Sequence, residues 1–218
     1  MTLLDTIRLR RTTKVLAPAD APLPVPDGSE RTLLSTMLEA GQEAPHHFPC
    51  HDCHRPEEDG ALEPWRFYVL DGAACRALRS EIEGWDGKVE TTMRLLGGTD
   101  GLIIVTWLPD PAEGTLPDGA AFAPTRRNME HIAAASSAIQ NMLLVATEAG
   151  RETFWASGGP ILLSSAARAK VGIPTAEVVL GTIYLAPESA GVADVKPGSR
   201  RDVRGAAEAC TRWVSFEA

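Results

Sequence analysis

Two kinds of hydrophobic pattern alternate along this chain, and they predict different elements. Leu33, Leu34, Met37 and Leu38 recur at helical spacing before Gly41, with Ser29 placed to cap the N-terminus. Residues 128–149 form the longest periodic stretch, with Ile132, Ala135, Ile139, Met142, Leu143 and Ala146 on one stripe. Small residues at 133–138 leave room there for a closely packed neighbour, and Gly150 ends the helix as a C-cap would. Shorter helices are expected at Leu3–Leu9, 73–82 and 164–171. The second pattern is the dense apolar run. WRFYVL at 65–70 is stopped by Asp71-Gly72 and reads as a strand. LIIVTWL at 102–108 is apolar on both faces, which predicts a strand in the middle of a sheet. VVLGTIYL at Val178–Leu185 is a third strand, and 153–155 a short fourth. Helices and strands are mixed without regular alternation, so an α+β sandwich fits better than a doubly wound sheet.

The polar stretches refine this picture. Pro18, Pro22, Pro24 and Pro26 forbid helix or central strand, so that segment should run extended over the surface. Residues 109–124 form a Gly/Pro loop of the length that often serves as a lid. No repeat or domain-scale linker appears, so residues 1–218 are expected to form one domain, with a His/Cys-containing loop insert at about 46–61.

A formal net charge of −8 argues against nucleic acid as a partner and makes any basic cluster a local feature. No window approaches the apolar length of a membrane span, and the N-terminal residues lack a signal-peptide core, so the expected location is the cytoplasm. Cys50, Cys53, Cys75 and Cys210 are then expected to be free thiols.

Against the acidic background, Arg10-Arg11-Thr12-Thr13-Lys14 gathers two guanidinium forks, an ammonium and hydroxyls at the end of a short helix. Arginine forks match phosphate oxygens bidentately and threonine adds a hydrogen bond, so the cluster has the composition of a phosphate site; the other possibility is a solvated basic surface. Residues 50–54 spell C-x-x-C-H, the haem-attachment pattern, but covalent haem belongs to exported proteins. Cys50, His51, Cys53 and His54 also suit zinc by ligand type, although ligands this crowded rarely close a tetrahedron without a second segment. A polar loop with free thiols is the reading adopted, with no metal. His131, beside Ile132 on the long helix, is read as a packed or interfacial residue.

The order RRTTK, then EAPHH at 43–47, EPWRFYVL from Glu63, a long Ala-rich helix, FWASGG from Phe154 and LGTIYL from Leu180 resembles the nitroreductase family nearly end to end, most of all its short members. The resemblance implies a three-layer sandwich with a mostly antiparallel central sheet flanked by helices. It implies FMN as cofactor, with Arg10, Arg11, Thr12 and Lys14 on the phosphate and ribityl chain, and Arg200 or Arg201 adding a cation. It implies a homodimer in which Pro45, His46 and His47 complete the site bound mainly to the other subunit, while Trp155, Ala156, Ser157 and Gly158 lie beside the isoalloxazine ring. Hydride from NAD(P)H would pass through flavin N5 to a small-molecule oxidant such as a nitro compound, quinone or enone, with no side chain as nucleophile or general base. Two departures stand out: Glu63 occupies the usual Gln position before Pro-Trp, and Ala61 the usual Asn. An FMN-binding storage or sensing protein and a metal-binding module centred on residues 50–54 are the alternatives.

Overall fold

The computed structural model describes residues 2–55, 60–116, 118–200 and 203–216. Its centre is a four-stranded antiparallel sheet in the order β2-β3-β5-β4, from β2 (Trp65–Asp71), β3 (Gly101–Trp107), β4 (Thr153–Ala156) and β5 (Val178–Leu185). Every residue of β3 is buried, as its run of branched residues requires of a strand with neighbours on both sides and helices on both faces. Alternation along β3 divides the core in two. Leu102 and Ile104 pack with Leu78, Ile82, Leu96 and Leu162, from α3 (Gly72–Ile82), α4 (Glu90–Gly97) and α6 (Gly159–Leu163). Ile103 and Val105 face Leu34 and Met37 of α2 (Glu30–Gln42) and Ile139, Met142 and Leu143 of α5 (Arg126–Glu148). The result is a three-layer α+β sandwich, helix on sheet on helix, as expected.

The long helix is where its periodicity predicts; its small residues Ala134, Ala135 and Ala138 pack with Trp65 and Trp107, and a second close approach is made at α2. Gly41 of α2 lies so near Met142 that a Cβ there would collide with the Met142 side chain. Thr125 caps α5 by accepting the Asn128 N–H at 3.1 Å, and Asp71 caps α3 through the Ala74 N–H at 2.8 Å. Ser29 does precede α2, but its own backbone is helical and its side chain caps nothing; instead Asp27 accepts the Ser29 N–H at 3.0 Å.

Several elements lie outside the apolar patterns: α4, α6, and a separate two-stranded sheet of β1 (Thr13–Leu16) and β6 (Asp194–Pro197). The remaining α-helices among the described residues are α1 (Leu3–Leu9) and α7 (Ser165–Val171), with short 3-10 turns at Asp52–His54 and Ala207–Cys210. The proline-rich segment after β1 runs extended, held by the buried Arg76, which donates to the carbonyls of Leu23 at 3.0 Å and Thr99 at 2.7 Å. Among the described residues no helix is long and apolar enough to cross a membrane.

Candidate functional site

The β1–β6 pair explains how distant basic residues meet. Thr13 pairs with Pro197, and just beyond the pair the Gly198 N–H donates to the Thr12 carbonyl at 2.7 Å. Gly198 belongs there because even a Cβ would sit 3.0 Å from the Thr12 Cβ. The segment leaving α1 and the segment leaving β6 therefore enclose one cavity of about 110 Å³, lined by Arg10, Arg11, Thr12, Gly198, Arg200 and Arg204. Four arginines and a threonine meet there, and none of the described residues in that lining is an acid. Arginine side chains and a threonine hydroxyl are donors suited to charge-assisted hydrogen bonds with an oxyanion. Arg10 is oriented by a 3.4 Å bond to Thr12 Oγ1, and Arg11 donates to the carbonyls of Leu9 at 3.0 Å and Arg10 at 3.2 Å, at the C-terminal end of α1 where a cation is favourable. Arg204 was not singled out from the sequence; it stands in a stretch without hydrophobic pattern, and only the chain path after β6 brings it here. Arg201 lies outside the described residues. Lys14 lies apart from this lining, its ammonium 4.8 Å from the centre of the Phe154 ring.

The cavity is tied to the Trp155 bend by one bridge. Thr12 pairs in parallel with Thr153, the first residue of β4, so the chain runs from the basic cavity along β4 into Trp155, Ala156, Ser157 and Gly158. At the bend Gly158 and Gly159 have φ of +100° and +66°, values that favour glycine and let the backbone turn sharply into α6. Trp155 is 40% exposed, its indole lying across Gly181 of β5, where a side chain would strike it. Beside that position β5 carries an irregularity in its register with β3, between Val105 and Thr106.

Pro45, His46 and His47 are not brought to this cavity within one chain. Ala44 packs on Trp65 and Trp107, and the His46 ring meets Trp65 edge-on at 5.6 Å, so the loop sits by the β2 edge of the sheet, opposite β4. His47 Nδ1 donates to Glu130 Oε2 at 3.0 Å and its ring stacks on Phe48.

The described cysteines and histidines of the insert take part in a local hydrogen-bond network. Cys50 is buried, and its carbonyl accepts two bonds from Arg55 at 3.2 and 2.8 Å. The His51 ring accepts the Cys53 N–H at 3.2 Å, and His54 Nε2 donates to the Pro109 carbonyl at 2.7 Å. Partial burial, then the charge of Asp110, pushes the Cys53 thiol up from its ordinary value. Among the described residues no group of three or more His, Cys, Asp or Glu is placed to hold a metal ion. His131 is buried as expected, donating through Nδ1 to the Leu108 carbonyl at 3.0 Å, and burial holds its pKa below the ordinary value. Just before β5 stands an acid that the sequence did not flag: Glu177, buried, accepts from Tyr68 Oη at 2.9 Å and from Thr106 Oγ1.

Comparison with known proteins adds the family. A profile of the nitroreductase family matches residues 10–186. No curated protein matches the chain. Among solved structures, a nitroreductase-like family protein from Bacillus cereus is 19% identical with a TM-score of 0.63, covering 99% of this chain and 97% of its own. A putative nitroreductase from Desulfovibrio desulfuricans in complex with FMN is 19% identical with a TM-score of 0.55, covering 100% and 99%. A Bacteroides fragilis nitroreductase with bound FMN is 20% identical with a TM-score of 0.52, covering 88% and 91%. At such identities the structures show a shared fold, and the profile supplies the kinship: this chain belongs to the nitroreductase family.

Proposed function

We propose that this protein is an FMN-dependent oxidoreductase that takes hydride from NAD(P)H and delivers it to a small electron-accepting molecule such as a nitro compound, quinone or enone. The observation that carries this is the cavity of four arginines joined by the Thr12–Thr153 bridge to the Trp155–Gly158 bend. Its donor set fits a phosphate monoester: two or more forks for the oxygens, the Thr12 hydroxyl, and a glycine wall at Gly198 that admits close approach. When bound, FMN supplies the hydride chemistry at N5. Arg10, Arg11, Thr12, Arg200 and Arg204 would hold the phosphate. Trp155, Ala156, Ser157 and Gly158 would flank the ring, with the turn at Gly158 leaving main-chain groups open to its polar edge. Lys14, one step further along β1, would lie toward the ribityl side. No residue is assigned a nucleophilic or general-base role.

The homodimer belongs to the same proposal. Pro45, His46 and His47 stand at the opposite sheet edge from the arginine cavity, so they complete such a site only from a second copy. Two features support that copy. Residues 211–216 form no helix or strand and leave Trp213, Val214 and Phe216 exposed, Trp213 at 96%, while the outer edge of β2 has a groove on each face, one lined by Tyr68, Leu70 and Leu78, the other by Leu38, Trp65 and Phe67. Exposed aromatic arms and open strand edges are costly in an isolated subunit. The four thiols, unbonded in this structure, suit the reducing cytoplasm.

The test is direct. Purified protein should be yellow with flavin bands that bleach on addition of NADH or NADPH under nitrogen and return when a quinone is added. Protein that remains colourless after incubation with FMN would overturn the proposal.

A further inference from the structure

The insert and the 109–124 loop, apart in sequence, are wired to the same two turns of α5. Asn128 is fully buried and holds both ends of the loop: its Oδ1 accepts the Asp110 N–H at 2.8 Å and its Nδ2 donates to the Ala123 carbonyl at 2.9 Å. Arg127 joins that loop to the insert, with Nε 3.0 Å from Asp110 Oδ2, one Nη donating to the Pro49 carbonyl at 2.8 Å, and the guanidinium 5.4 Å from the centre of the Phe48 ring. The two histidines complete the knot, His131 on the Leu108 carbonyl and His54 of the insert on the Pro109 carbonyl. Phe48 stacks in turn on His47, which pairs with Glu130 one turn along the same helix. A continuous path of contacts thus leads from His47 through Phe48 and Arg127 to Asp110.

We infer that Arg127 and Asn128 are positioning residues for substrate discrimination, fixing residues 46–55 and 109–124 as one wall whose distance from the flavin is set together. This rests on the proposal that His46 and His47 face the flavin. Three properties of the knot argue for it. The buried amide uses one donor and one acceptor on two different loop ends, so neither end moves without stranding a buried polar group. The guanidinium is the hinge between loop and insert, and a lysine would not reproduce its fork. Beyond the tied ends, Gly114 and Gly119 have φ of +109° and +78° with open space around them, so conformational freedom is kept away from the anchor.

The experiment measures amide hydrogen exchange in residues 46–55 and 109–123, with and without FMN, in the wild type, Asn128→Asp and Arg127→Met. Asn128→Asp keeps the acceptor for Asp110 and loses the donor to Ala123; Arg127→Met keeps length and removes every bond to Pro49 and Asp110. In the wild type, FMN should slow exchange in both segments. In Arg127→Met, FMN should slow 46–55 alone, and exchange in 109–123 should rise about threefold, the effect of losing the Asp110 ion pair. Asn128→Asp should speed exchange in the insert as well as in the loop, without any flavin present. Both variants should keep FMN affinity within about twofold while raising the kcat/KM ratio of a bulky to a small quinone several-fold, mainly through KM. Loop exchange and oxidant ratio equal to the wild type in both variants would overturn the inference. A wild type that binds no FMN would instead remove the flavin proposal, and the flavin-free Asn128→Asp result would still decide whether loop and insert move as one.

Discussion

Arg10 and Arg11 are the residues on which the proposed cofactor site depends most. A charge-assisted bond contributes about 1.5 to 3 kcal/mol, so Arg10→Ala with Arg11→Ala should weaken FMN binding by at least about a hundredfold in a flavin titration. Retained affinity in that double variant would remove the phosphate assignment. His131 makes a different prediction. Burial lowers its pKa below the ordinary histidine value even though the Leu108 carbonyl favours the proton, so the unfolded chain binds protons more readily than the folded one. Its contribution to stability is therefore complete above about pH 6.5 and is lost as pH falls toward the folded value. In thermal melts from pH 8 to pH 5, His131→Leu should lose less of its Tm than the wild type does. The basic cluster was legible in sequence because four cations within seven residues are conspicuous in a chain of net charge −8. Arg204 and Asn128 were not, since nothing local marks a residue whose role depends on which distant carbonyls or loops the fold delivers to it.

Strands and helices with one apolar stripe or two apolar faces were readable, and the same burial makes them the mechanical centre. Ile103→Ala in β3 removes a fully buried side chain between α2 and α5, and a cost of about 2 to 5 kcal/mol is expected in a denaturant titration, with the slope unchanged. β1 and β6 escaped notice for a physical reason. β6 is exposed along its whole length and ends in proline, and β1 is four residues long inside a charged cluster, so neither carries a period to detect. α6 opens with two left-handed glycines and a proline, residues that signal a turn, and the short helix exists because Ile161 and Leu162 reach the core behind them. Ser29 stands at a helix start and leaves the cap to Asp27 because its own backbone has already turned helical.

For the whole molecule, the mixture of helices and strands pointed to an α+β sandwich and the family resemblance to its three layers, whereas the insert had no such guide: its hydrogen bonds fasten it to the β3–α5 connection. At this scale the exposed arm makes a prediction about assembly. A variant ending at Cys210 should leave the fold of the sheet intact, shift the mass measured by light scattering from dimer to monomer, and bind FMN more weakly. A truncated protein that stays dimeric with full affinity would show that the arm has another role.

The pairing of residues 12 and 13 with 197 and 198 has a consequence for biosynthesis. The arginines at 10 and 11 leave the ribosome well before residue 204 and cannot close their cavity until it has followed. If the cavity holds a phosphate as proposed, loading is confined to the period after residue 204 has been translated, and a stalled or nicked product lacking the region around 198–204 would carry only the half of the cavity that Arg10, Arg11 and Thr12 supply.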